Sequence, residues 1–126
     1  MIRVVALLAS VVVLVAGCSA SRSLGLDDDG NRVALSPGDE IEVTLVGNAT
    51  AGLSWELDEF DPAVITALAE PVYEVADTDL IGGGGKWTWM LVAQEPGECE
   101  VRFVYHRTWE DKPPEATFSF TADVNQ

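Results

Sequence analysis

Three observations predict an all-β fold for residues 33–126. Short segments alternate polar and apolar residues, turn-forming residues separate them, and no stretch keeps a helical period for three turns. Period-two alternation marks a half-buried strand, because successive side chains point to opposite faces.

The segments follow in order from Val33. Ser36-Pro37-Gly38-Asp39 is a turn. Glu40-Ile41-Glu42-Val43-Thr44-Leu45-Val46 then alternates, and so does Leu53-Ser54-Trp55-Glu56-Leu57. Val64 to Ala69 and Val72 to Val75 are two short strands divided by Pro71, which cannot donate to a ladder. Val64 to Glu70 is also compatible with a helical turn, and strand is the preferred reading. Lys86 to Val92 places Trp87, Trp89 and Leu91 on one face. Glu98 to Tyr105 groups Cys99, Val101, Phe103 and Tyr105, and Thr117 to Val124 groups Phe118, Phe120 and Ala122. About seven to eight short strands at regular spacing argue a β-sandwich of immunoglobulin-like architecture. The Cys–Trp–Cys hallmark of antibody domains is absent, and the length suits one domain.

Upstream of the domain the composition changes. Arg3 precedes an apolar run from Val4 to Ala16, too short for the roughly 20 residues of a spanning helix and sized for a signal peptide. Val15-Ala16-Gly17-Cys18 resembles the lipobox of bacterial lipoprotein signal peptides. That resemblance implies cleavage after residue 17, lipid on the Cys18 sulfur, and an exported lipoprotein anchored to a cell-envelope membrane. An ordinary secretory signal, cleaved near Ala20, is the competing reading. Residues 18–32 then read as a lipidated Cys and flexible tether. Ser19-Ala20-Ser21-Arg22-Ser23 and Asp27-Asp28-Asp29-Gly30-Asn31 are small and polar, and the acidic cluster lacks the ligand spacing of a calcium loop.

The net charge is −14, and removing the leader takes away only Arg3, giving −15. That sign excludes nucleic acid as a partner and disfavours adsorption to anionic lipid. It suits solubility or a basic partner. With Cys18 lipidated, Cys99 is a lone thiol within a strand and reads as a buried structural cysteine.

Enzyme signatures are missing. His106 is the one histidine, and no metal-ligand pattern accompanies it, so it reads as a partly exposed structural residue. No serine lies in a nucleophile elbow. Gly82-Gly83-Gly84-Gly85 lacks the ending of a phosphate loop and precedes a strand. No cofactor, metal or catalytic residue is expected. Three loops remain that packing alone does not explain. Gly47-Asn48-Ala49-Thr50-Ala51-Gly52 is a shaped loop rather than a minimal hairpin. Gly82 to Gly85 suits close backbone approach. Arg107-Thr108-Trp109 opens a polar, proline-rich loop, and its indole is either tucked into the sandwich edge or presented to a partner.

These loops carry a resemblance. Asn48-Ala49-Thr50-Ala51-Gly52-Leu53-Ser54-Trp55 resembles the Asn-Pro-Thr-Thr-Gly-Tyr-x-Trp segment of the chagasin family, protein inhibitors of papain-like cysteine peptidases. Gly82 to Gly85 resembles that family's Gly-x-Gly loop, and Arg107-Thr108-Trp109 its Arg-Pro-Trp loop. The three motifs occur in order across residues 33–124. The resemblance implies an immunoglobulin-like sandwich and a three-loop wedge that blocks a papain-like peptidase reversibly and competitively. Thr50 lies nearest the catalytic cysteine in that picture, the glycine loop beside it, and Arg107 and Trp109 on the opposite rim. Asn48 and Gly52 complete the set. Ala49, Ala51, Leu53 and Thr108 depart from the motifs. They leave open a second reading, a non-inhibitory envelope lipoprotein whose same loops bind another protein or peptide. Nothing in the sequence suggests more than a monomer.

Overall fold

The computed structural model describes residues 21–75 and 84–125. The leader, Cys18, Gly82 and Gly83 lie outside the described residues. Among the described residues nine strands form: β1 (Ser21–Leu24), β2 (Arg32–Leu35), β3 (Glu40–Gly47), β4 (Ser54–Glu59), β5 (Ile65–Ala67), β6 (Val72–Val75), β7 (Gly85–Ala93), β8 (Gly97–His106) and β9 (Ala116–Val124). They make two sheets. One runs β1-β3-β7-β5, with β6 also on β7, and the other runs β2-β9-β8-β4. This is the expected all-β sandwich.

The alternating residues behave as their period requires. Trp87, Trp89 and Leu91 of β7 are buried, as are Val101 and Phe103 of β8 and Phe118, Phe120 and Ala122 of β9. Trp89 meets Phe103 edge-on across the two sheets at a centroid separation of 4.8 Å. Full burial of one such side chain stabilises by about 1.5–3 kcal/mol relative to exposure. Cys99 is a free, half-buried thiol packed against this core.

One segment of the domain differs from the sequence reading. Val64 to Ala69 yields only three strand residues, because the Val64 and Ile65 amides both donate to the Asp61 carbonyl, each at 2.9 Å, and close a turn first. Pro71 does separate β5 from β6, yet both pair along the same edge of β7.

The stretch expected to be a flexible tether is structured from Ser21. β1 pairs parallel to β3, from Ser21 opposite Glu40 to Leu24 opposite Val43. The chain then turns through a 3-10 segment, Leu26–Asp28, into β2, which pairs parallel to β9. The aspartates are turn formers. Asp28 accepts the Gly25 amide at 2.9 Å, and Asp29 accepts the Ser119 amide at 2.9 Å. Composition reads as a linker because it cannot see the strands that β1, β2 and Asp29 pair with.

Candidate functional site

Strand register places the three loops at one pole. β3 ends at Gly47, opposite Gly85, where β7 begins. β4 begins at Ser54, opposite His106, where β8 ends, and Tyr105 faces Ala116 at the start of β9. Residues 48–53 and 107–115 therefore leave the same end of the sandwich, where β6 ends at Val75 opposite Gly85.

The first loop crosses between sheets, since β3 and β4 lie in different ones. A two-residue hairpin cannot do that. The chain instead forms a 3-10 turn over Ala49–Ala51, with the Gly52 amide donating to the Ala49 carbonyl at 2.9 Å. Gly52 leaves the turn at φ +83°, a left-handed conformation that favours glycine. Thr50 lies within this turn, and its side chain lies outside what the structure describes.

The entry to the loop is braced from below. The Asn48 amide donates to the Tyr105 hydroxyl at 2.7 Å. The Tyr105 ring stacks on Trp55 at 4.9 Å, and the Trp55 indole N–H donates to the Val46 carbonyl at 2.9 Å. Gly47 makes the stack possible. A Cβ there would stand 2.6 Å from Tyr105 Cε1 and 2.9 Å from Trp87 Cζ3.

The third loop closes over the first. Arg107 Nε donates to the Ala51 carbonyl at 2.9 Å, while its Nη1 lies 3.7 Å from Glu110 Oε1. The Trp109 indole rests an edge on Gly52, where an added Cβ would lie 2.7 Å from Trp109 Cη2. The rest of that indole faces solvent, and Trp109 is 70% exposed. Of the two placements open from sequence, presentation is the one the fold adopts.

Asn48, Gly52, Arg107 and Trp109 are thus brought together. Gly84 and Gly85 sit beside them but turn inward. A Cβ on Gly84 would meet the Gly47 carbonyl oxygen at 2.5 Å, and one on Gly85 would meet the Glu74 carbonyl oxygen at 2.6 Å. The absence of a side chain at each lets the backbone approach closely at the strand end. His106 Nε2 lies 2.7 Å from Glu56 Oε1 on the outer face, a local polar pair. The residues that sequence reasoning missed are Tyr105, Trp55 and Glu110. Alternation marked Tyr105 as an inward residue, but only strand register shows it ending beneath the first loop.

Among the described residues the arrangement presents a braced surface at one pole. The model for the chagasin family peptidase inhibitors, family I42, matches residues 34–124. Amoebiasin-1 of Entamoeba histolytica is 30% identical over 105 residues, covering 81% of this chain and 98% of the relative. The fold resembles the crystal structure of a cysteine protease inhibitor from Entamoeba histolytica, at TM-score 0.77 and 18% identity, covering 86% of this chain and 100% of that one. It also resembles PbICP-C, whose structure is a complex with falcipain-2, at TM-score 0.60 and 19% identity, covering 89% and 96% respectively. By the family match over most of its domain, this chain belongs to the chagasin family of peptidase inhibitors and is not an enzyme.

Proposed function

We propose that the protein is a reversible, competitive inhibitor of papain-like cysteine peptidases, held at a cell-envelope membrane by lipid on Cys18. The wedge is Asn48, Thr50 and Gly52 of the first loop, the glycine loop Gly82 to Gly85, and Arg107 with Trp109. One observation carries it: a largely exposed indole, latched to the cleft-entering loop through Gly52 and through Arg107 on Ala51. Binding energy concentrates in such rigid aromatic and arginine anchors. A loop held before binding loses little entropy on binding. The partner class follows from the family and from the complex that PbICP-C makes with falcipain-2.

Titrating papain with the chain lacking residues 1–18, against a fluorogenic substrate, tests the inhibition. Competitive inhibition at submicromolar concentration is expected. A folded protein that leaves papain active at high micromolar concentration would remove papain from its targets and favour the non-inhibitory module. Intact-mass measurement of the membrane-extracted protein tests the lipid on Cys18.

A further inference from the structure

The pole opposite the wedge is where the chain enters the fold. Ser21 pairs with Glu40, the first residue of β3, whereas Gly47 at the far end of β3 leads into the first loop. The entry point therefore lies level with the turn Ser36–Asp39 and with the 94–96 turn that joins β7 to β8. Three residue steps separate Cys18 from Ser21. Fully extended they span roughly 10–11 Å. The eight residues of β3 then carry the chain about 26 Å further to the wedge, at about 3.3 Å per residue.

From this topology we infer that the basal pole is the membrane-facing surface of the protein, and that the wedge points away from the bilayer to meet a peptidase in the aqueous phase. The inference rests on the lipid-anchored reading above. The short leash keeps the base beside the head groups. Charge adds a cost to lying flat on either sheet face. Glu42 is half-buried and Glu74, paired with Lys86, is exposed on one sheet, while Glu56, Glu100 and Glu98, the last paired with Arg32, are exposed on the other. These are among the carboxylates that give the mature chain its net charge of −15. Anionic head groups repel such faces, and the basal end, which carries Glu40 and Glu95 itself, is held near them by the short leash. A long flexible linker would let the wedge sample every orientation. β1 prevents that by tying the chain into the sheet immediately after the leash.

The test uses the full, acylated chain in vesicles of phosphatidylethanolamine and phosphatidylglycerol with a head-group-labelled acceptor lipid. A donor dye is attached either at the base, through Gln94→Cys, or at the wedge pole, through Asp111→Cys, each with Cys99→Ala. Papain inhibition by each labelled chain checks that the fold survives. Strong transfer from position 94 and weak transfer from position 111 is the expected result, with papain added outside the vesicles still inhibited. Equal transfer from both, or stronger transfer from 111, overturns the orientation even when the protein mass shows acylation. Loss of inhibition on vesicles but not in detergent overturns it as well. An unacylated mass with no vesicle association brings down the anchored reading and the orientation together, and the mass distinguishes that failure from the others.

Discussion

Tyr105 and Arg107 hold the first loop by single groups, one from beneath and one from across. The loop lacks the proline that the family motif places at Ala49, so its backbone is freer in the unfolded and unbound chain. The Tyr105 hydroxyl on the Asn48 amide and Arg107 on the Ala51 carbonyl limit that freedom at either end of the turn. Tyr105→Phe keeps the ring stack and removes one hydrogen bond, a net loss of about 0.5–1.5 kcal/mol. The expected outcome is an inhibition constant raised up to about tenfold, with the melting temperature only slightly lowered. An unchanged constant would show that the hydroxyl does not position the loop. Trp109→Ala separates binding from folding more sharply. The exposed indole contributes little to stability, so unfolding should shift by under about 0.5 kcal/mol. Binding should weaken by about 2–4 kcal/mol, the hot-spot range. A thermal melt beside an inhibition titration reads both.

At the level of elements, the wedge depends on how strand ends pack. β3, β4, β7 and β8 converge where Gly47, Trp55, Trp87 and Tyr105 meet. Gly47→Ala pushes a methyl into two rings, neither of which is the free end of a flexible chain. Overpacking of that kind costs about 1–3 kcal/mol. The urea midpoint should fall accordingly, and inhibition should weaken because the Tyr105 brace is displaced. A variant with unchanged midpoint and affinity would mean that the rings yield without consequence. The strands themselves were legible wherever one face is buried: β3, β7, β8 and β9 lie where alternation put them. β1 was not legible. Ser21-Arg22-Ser23 has no apolar alternation, and it is a strand because β3 offers an edge to pair with. Within the Asp27–Asp29 cluster, Asp29 is invisible to composition for the same reason, its partner Ser119 being remote in sequence, whereas Asp28 makes a local turn with Gly25.

Across the whole molecule, a continuous aromatic core supports a strongly acidic surface. Phe103 lies fully buried between Trp89 and Phe118. Phe103→Ala is expected to cost about 3–5 kcal/mol, measured by denaturant unfolding. The surface acts at longer range. With −14 on the chain, association with a basic peptidase should be steered electrostatically. Its rate constant should fall about tenfold or more from low to high salt, with dissociation nearly unchanged. Stopped-flow binding across an ionic-strength series checks this, and a flat association rate would assign the charge to solubility alone.

The chain by itself determined the fold class, the core faces of the long strands and the identity of the loop residues. Period-two alternation, turn residues and short motifs are local properties, and local properties survive in a linear string. Three features were decided only by the tertiary structure. These are the convergence of the loops at one pole, the latch of Arg107 and Trp109 on residues 51 and 52, and the entry of the chain at the opposite pole. Each depends on strand register and on contacts between residues far apart in sequence. Such pairings arise from packing the two sheets, which no single segment encodes.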